Sequence, residues 1–483
     1  MNYGRVFFIL GTFQYLLAGL LLLPLVCALI YGEMDQLMAF LLPAGAAIAT
    51  GYALRYGTRS APRALYRREG LLVVVGCWLS ACLAGALPYI ICSATPSIPD
   101  ALFESMSGFT TTGSTILPKI EGLPHSILFW RSLTHWLGGM GIVVLFVAIL
   151  PALGVGGRLL YEFEVPGLDT DDLKPRIRAT AMALWKIYFA ITVVQVLALL
   201  LCGLSLFDGL IHAFGTVSTG GFSNYDKSVA HFDSAPVQIV ILLFMFISGV
   251  NFGLYHRIRN HGVRVLIRNR EFQLYSTLLL VVTLLSTFVL RTQGGYESTS
   301  AALIDSGFQA VSVATTTGFG TADFDRWPDL LRYTLVILMF LGGCAGSTAG
   351  GLKLIRIILV FKAIGLELQR FIYPNRIRSV RVGNQSVSED MLRNVGAFFA
   401  LTMVIYATSG AILMALGMNM ESALSGVAAT LFNIGPGLGQ VGATQNFAGV
   451  PEAGKIVFTI LMLLGRLELF TAVVLLSPSF YKD

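Results

Sequence analysis

DALFESMSGFTTTGST, residues 100–115, runs from an acid through a short apolar stretch into a tract of threonines closed by a glycine. The apolar part, Ala101–Phe109, is far shorter than the ~20 residues a bilayer-crossing helix needs. The same order returns three times: Gly209–Val217 leads into STGGFS, Ser306–Ala314 into TTTGFG, and Ser422–Phe432 into NIGPGLG. An acid precedes each stretch, at Asp100, Asp208, Asp305 and Glu421, so the chain carries an internal repeat of about 100 residues. Thirteen residues separate acid from tract glycine in the first three units (Gly113, Gly221, Gly318). In the fourth the distance is fourteen to Gly435 or sixteen to Gly437, which leaves its register open.

The surroundings of the repeat are membrane-like. Of 483 residues, 55% are hydrophobic and only 12% charged, with a mean hydropathy of +0.73. That is about half the charge of an ordinary globular chain, too little to cover a water-soluble body of this size. The same figures exclude disorder, collagen and disulfide scaffolds. Ten apolar runs are long enough to cross a bilayer as helices, near 6–30, 37–54, 70–91, 126–150, 183–205, 236–256, 274–291, 331–361, 394–416 and 455–476. The first is too long for a signal sequence and lacks a cleavage motif, so it is expected to remain as a span. Arginines crowd alternate connections (Arg55, Arg59, Arg63, Arg67 and Arg68; Arg257, Arg259, Arg264, Arg268 and Arg270; Arg370, Arg376, Arg378 and Arg381). The positive-inside rule then puts both termini in the cytoplasm. The net charge of +6 is thus an inside-facing asymmetry and implies no nucleic acid.

The expected fold is an all-α integral membrane protein: four helix–pore-helix–helix repeats around a central pore, plus two N-terminal transmembrane helices. The divisions are 1–69 for the additional helices and a basic loop, then repeats over 70–150, 183–256, 274–361 and 394–476. Non-helical backbone is tolerated at membrane depth only when buried in protein or lining a watery cavity, and four re-entrant tracts satisfy this together by converging on one axis. Each short helix precedes its tract, so its C-terminal end, worth about −0.5 charge, points at the axis. Anion sites use the opposite order. Backbone carbonyls and threonine hydroxyls gathered there favour a cation, in the manner of a carbonyl-lined filter.

These tracts resemble the filter loops of the Trk/Ktr/HKT potassium transporter superfamily. THWLGGMGI (Thr134–Ile142) and LGGCAGSTAGGLK (Leu341–Lys353) are similar to its TrkH branch in particular. The resemblance spans roughly 70–476 and, with the two N-terminal helices, implies a potassium-uptake subunit of the bacterial inner membrane. It further implies a homodimer and a TrkA-like cytosolic nucleotide-binding ring that controls opening. Carried over, the potassium-coordinating positions are Thr111, Thr112 and Gly113; Thr219, Gly220 and Gly221; and Thr316, Thr317 and Gly318. In the fourth tract they are Ile434 and Gly435, or Gly437. None of the tracts is a longer TVGYG filter, so low to moderate discrimination of potassium over sodium is expected.

Helix eight is interrupted by Gly342, Gly343, Gly346, Ser347, Thr348, Gly350 and Gly351. Each interior glycine costs about 1 kcal/mol of helix stability. The segment either unwinds against the pore or forms a small-residue packing face; the resemblance implies an intramembrane gate loop over 342–351. Arg466 lies inside the last apolar run, where a central arginine costs roughly 2.5–3.5 kcal/mol on insertion scales. It is expected to face the pore and to donate to carbonyls of the unwound loop. Lys353 is expected to snorkel as an inside anchor. The acidic cluster Glu162, Glu164, Asp169, Asp171 and Asp172 reads as a solvated loop.

Two other functions compete. An ion-coupled symporter, moving potassium with a proton or sodium, calls for carboxylates in mid-helix, and apart from Glu468 the runs hold almost none. A membrane-embedded enzyme needs a nucleophile, base or metal constellation. His135 with Arg131, or His212, lacks a suitably spaced partner, and the six cysteines form no CxxC pair. The chain is therefore not expected to be an enzyme.

Overall fold

The computed structural model describes residues 1–62, 65–141, 177–293, 295–373, 380–382 and 385–482. Arg63, Arg376, Arg378, residues 142–150 of the first repeat and the acidic cluster at 162–172 lie outside the described residues. The protein is all-α and multi-pass. Among the described residues, six helices are long and apolar enough to cross a membrane, or eight spans when each of two bent helix pairs is counted as one.

Helices α1 (Tyr3–Ile30) and α2 (Leu37–Gly57) form the N-terminal hairpin, packed on α3 (Arg67–Ile91). The first unit continues through the short α4 (Ile98–Phe109) to α5 (His125–Gly139). The second comprises α6 (Ile177–Leu201), the short α7 (Leu206–Val217) and α8 (Ala235–Ser248), which turns by 89° into α9 (Phe252–His261). After a basic helical turn, α10 (Arg264–Arg268), the third has α11 (Arg270–Gln293), α12 (Thr299–Ala314), α13 (Asp329–Leu341) and α14 (Leu354–Ile372). A two-stranded antiparallel hairpin, Val380–Val382 with Gln385–Val387, precedes the fourth. That unit holds α15 (Glu389–Ala415), α16 (Met420–Leu431) and α17 (Glu452–Arg466).

Helices on the rim turn apolar side chains outward, such as Leu23, Leu284, Phe288 and Val404, as a lipid-facing surface requires. Thr110, Thr111, Thr112, Thr219, Thr315, Thr316 and Thr317 of the tracts, by contrast, are buried.

Each short helix starts on a side-chain cap, which satisfies one of its orphan N–H groups. Ser97 accepts from Asp100 N, Ser205 from Asp208 N, Ser298 from Ala301 N and Asn419 from Ser422 N. Asp100, Asp208 and Glu421 sit in the first turn, where the helix dipole favours an acid. Asp305 departs from the expectation. Helix α12 has 16 residues where the others have 12, so Asp305 falls in its interior. There it accepts from Tyr296 Oη at 2.9 Å and Thr321 Oγ1 at 2.8 Å.

The second long helix of every unit is shorter than its apolar run. α5, α8, α13 and α17 have 15, 14, 13 and 15 residues. They end beside Gly139, Gly249, Gly342 and Gly465, and α17 bends by 110° into the following helical segment. Three spans expected to be continuous, those of α5, α8 and α17, are thus broken at the level of the tracts, as is the eighth, whose interruption the glycine segment already marks. Glycine at 139, 342 and 465 lets neighbouring backbone approach where a side chain would obstruct it, and Gly249 leaves room for the side chains of Tyr275 and Thr315.

Candidate functional site

The four tracts share one backbone conformation. Left-handed residues occur at their first and third positions: Thr111 and Gly113, Thr219 and Gly221, Thr316 and Gly318, Asn433 and Gly435. The middle residue donates its N–H back into its own short helix in every unit. Thr112 N bonds Ser107 O at 2.9 Å, while Gly220 N, Thr317 N and Ile434 N bond Gly215 O, Ser312 O and Ala429 O at 2.8 Å. These bonds use up the amides and cap the last carbonyls of the helices. The middle carbonyls remain: among the described residues, none of Thr112 O, Gly220 O, Thr317 O or Ile434 O accepts a hydrogen bond.

Those carbonyls close a ring. A Cβ built on Gly113 would lie 2.1 Å from Gly220 O, one on Gly221 1.9 Å from Thr317 O, and one on Gly318 2.0 Å from Ile434 O. The fourth tract returns to the first, with a Gly435 Cβ 2.9 Å from Thr112 O. Each tract glycine therefore abuts the middle carbonyl of the next tract. The backbone equivalence pairs Gly435 with Gly113, whereas Gly437 packs against Ser425, Gly426 and Val441. A β-branched threonine at positive φ costs roughly 1–3 kcal/mol and persists only where its surroundings enforce it. Its recurrence at three equivalent positions marks a functional constraint.

Several contacts that hold the ring are not predicted by the sequence. Arg131 and Glu104 form an ion pair, Nε to Oε1 at 2.8 Å, with side chains 1% and 0% exposed. Arg131 Nη1 also donates to Ser223 O at 3.0 Å, and Glu104 Oε2 accepts from Ile116 N at 3.1 Å. The pair therefore ties the first tract to the second. Lys455 donates to Asp100 at 2.7 Å and ties the fourth unit to the first. Asn433 Nδ2 donates to Thr112 Oγ1 at 2.9 Å, and asparagine accepts the left-handed region more readily than other non-glycine residues. The histidines weighed as enzymatic are also scaffold contacts. His135 stacks on Phe222 at 4.0 Å, and His212 Nε2 meets Ser223 Oγ at 3.1 Å.

Removing one partner of a buried ion pair costs about 3–5 kcal/mol, because the other charge is stranded. Arg131→Gln is therefore expected to lower the denaturation midpoint sharply in mixed micelles. Arg326→Gln, at an exposed pair with Asp323, should leave it unchanged. Equal midpoints for the two variants would contradict this role of Arg131.

Residues 342–353 are non-helical between α13 and α14 and lie against the tracts. Gly350 N donates to Thr316 Oγ1 at 2.6 Å, Gly351 N to Phe432 O at 3.1 Å, and Thr348 Oγ1 to Val217 O at 3.1 Å. Gly346 O accepts from Phe252 N at 2.9 Å. Glu271 Oε1, at the start of α11, accepts from Ala345 N at 2.8 Å and Ile355 N at 3.2 Å, clamping both sides of the segment. Gly346, Ser347, Gly350 and Gly351 line a cavity of about 110 Å³ together with Asn433 and Arg466; Gly343 packs against Ala349 and Ser347.

Arg466 donates to Gly138 O, to Gly139 O at 3.0 Å and to Thr111 Oγ1 at 3.4 Å. Its guanidinium lies 5.6 Å from the Trp78 ring centroid. It thus bonds two carbonyls at the broken end of α5 and a hydroxyl of the first tract, groups that the sequence does not identify as its acceptors. Glu468 pairs with Arg356 across the same cavity. Lys353 does not snorkel outward: it folds over the loop, with Nζ bonded to Ala349 O.

Comparison with known proteins agrees with this architecture over its full length. The family model described as TrkH, a cation transport protein, matches residues 36–481. The Trk system potassium uptake protein TrkH of Salmonella typhimurium is 42% identical over 487 residues, covering all of both chains. Its counterpart from Escherichia coli strain K12 is 41% identical with the same coverage. The crystal structure of the potassium transporter TrkH from Vibrio parahaemolyticus superposes with a TM-score of 0.90, at 36% identity and full coverage of both chains. A chain with four tracts closed in a ring, matched from end to end by these relatives, belongs to the TrkH family of cation transport proteins.

Proposed function

We propose that this protein is the potassium-translocating subunit of a bacterial potassium-uptake system, working as a gated cation pore in the inner membrane with both termini cytoplasmic. The observation that carries this reading is the ring itself: four middle carbonyls, each against the next tract's glycine and none engaged by a donor among the described residues. Such oxygens replace the hydration shell of an ion that dehydrates easily. The filter comprises Thr111, Thr112 and Gly113; Thr219, Gly220 and Gly221; Thr316, Thr317 and Gly318; and Ile434 with Gly435. The tracts are short, so potassium is favoured over sodium only weakly to moderately.

Residues 342–351 and Arg466 form the gate beneath the filter. A TrkA-like cytosolic nucleotide-binding ring controls it, and the protein works as a homodimer with one pore per protomer. The relatives named as parts of a Trk system support a multi-component assembly.

The test is flux into liposomes holding the purified protein. Rubidium or potassium should enter down its gradient at several times the rate of sodium. No flux, with or without the partner ring, would overturn the proposal. Glu271 and Glu468 beside the loop favour a second reading, an ion-coupled symporter. Potassium accumulation against its own gradient, driven by an imposed proton or sodium gradient, would select that reading instead.

A further inference from the structure

The helices that follow the four tracts align at their broken ends. A Cβ on Gly138 would lie 1.9 Å from Phe109 O and one on Gly465 2.0 Å from Leu431 O, in each case the last residue of the unit's own short helix. Three residues before Gly138, Ser248, Gly342 and Gly465 stand His135, Met245, Met339 and Met462. All four are 0% exposed. One unit thus carries an imidazole where the other three carry a thioether. Burying a polar group costs free energy unless it is hydrogen-bonded, so the exchange calls for a partner.

The partner is the second tract. Its middle residue, Gly220, is the one of the four without a side chain, since the others are Thr112, Thr317 and Ile434. In the first and third tracts the middle threonine shares a hydrogen bond with the hydroxyl two residues earlier, on Thr110 and Thr315, at 2.8 Å. In the second the imidazole takes up that space: a Cβ at 220 would lie 2.3 Å from His135 Nδ1.

The same nitrogen accepts from Phe222 N at 3.3 Å, which a neutral ring does when its proton is on Nε2. Phe222 directly follows the tract glycine. At the equivalent places Pro436 has no N–H, and Ser114 N and Phe319 N meet no acceptor among the described residues. The Phe222 ring lies flat on the imidazole, 4.0 Å between centroids and 11° between planes. The Arg131 guanidinium is 4.0 Å from that ring as well. The second tract is therefore braced from α5, where the first and third are braced by their own threonines.

We propose that His135 is a positioning residue for ion selection. It stands in for the side chain the second tract lacks, and through the Phe222 N–H it sets where Gly220 O lies in the ring. The proposal rests on the reading of the ring as a filter. It carries a demand of its own, that positions 135 and 220 are coupled.

The experiment is rubidium and sodium flux in liposomes holding the full chain with His135→Met, Gly220→Thr or both, with unfolding temperatures read in detergent. His135→Met installs the residue type of the other three units and removes the acceptor. Its rubidium-to-sodium ratio is expected to fall about three- to tenfold, the worth of one hydrogen bond. Gly220→Thr alone drives its Cβ into the imidazole and should slow rubidium about tenfold. The backbone at 220 is not left-handed, so threonine is admissible there once the ring is gone. The double variant should recover both flux and ratio to within about twofold of the parent, a rescue that independent sites do not give. Should His135→Met fail to fold alone, the comparison of Gly220→Thr with the double variant decides. A parental ratio in His135→Met with only a lowered unfolding temperature would make His135 a packing residue and overturn the proposal. A double variant no better than Gly220→Thr would overturn it too. A parent without rubidium preference would instead overturn the filter reading itself.

Discussion

Gly113→Ser protein in liposomes is expected to pass potassium at least tenfold more slowly than the parent, and to lose most of its preference over sodium. The Cβ of any residue at 113 would stand 2.1 Å from Gly220 O, at a φ of +82°. That neighbour is backbone, held by the Gly220 N–H bond to Gly215 O, so no side-chain rotation relieves the clash. Overpacking of this kind costs roughly 1–3 kcal/mol, and the left-handed backbone adds a similar penalty. Relief requires the first two tracts to separate, which displaces the carbonyls that would coordinate the ion.

The effect should be graded around the ring. Gly221→Ser and Gly318→Ser meet carbonyls at 1.9 and 2.0 Å and should match it, while Gly435→Ser, with 2.9 Å of room, should retain more flux. Gly365→Ser, with open space around it, serves as the control. Parental flux and selectivity in a folded Gly113→Ser protein would refute the assignment of the ring as the filter.

Arg466→Ala should have the opposite sign, raising flux in the absence of any partner. Two like charges a few ångströms apart repel by roughly 2–4 kcal/mol at an effective dielectric of about 20. Each 1.36 kcal/mol is tenfold in rate, so an increase of tens- to hundreds-fold is expected. The residue also tethers the end of α5 to the first tract through Gly138 O, Gly139 O and Thr111 Oγ1. Arg466→Lys separates the two contributions, since it keeps the charge but not the planar fork of donors. Low basal flux in Lys and high flux in Ala assigns the barrier to charge, and high flux in both assigns it to the tether. Unchanged flux in both variants removes Arg466 from the gate.

Much of the architecture is legible in the amino-acid order. The short apolar stretches and their tracts follow from length and glycine placement alone, because a span cannot be that short. The fourth register stays open when counted from acids, which vary in position within the first turn. Counted from the capping residues it closes. Sixteen residues separate Ser97 from Gly113, Ser205 from Gly221 and Asn419 from Gly435. Only the third unit differs, with one extra helical turn that moves Asp305 inward.

The breaks in α5, α8, α13 and α17 are hidden from hydropathy, which scores a run as apolar whether or not its backbone is continuous. Gly139, Gly249 and Gly465 are the visible signal. The Glu104–Arg131 pair is out of reach, since nothing in one sequence says which distant charges meet in a core. Arg466 stands out by its cost in an apolar run, but its acceptors belong to α5 and the first tract, over 320 residues earlier.

The ring is written into one polypeptide rather than assembled from four identical ones. Any single codon change alters one quarter of the circle and leaves three quarters intact. A symmetric tetramer would suffer the same change four times over. The fourth segment already uses this freedom, placing Asn433, Ile434 and Pro436 where its neighbours have threonine, glycine, serine or phenylalanine, with the loosest joint at Gly435. Under the proposed reading of the ring as a filter, ion preference would be adjustable in small, separable steps, with the fourth segment the most permissive place to begin.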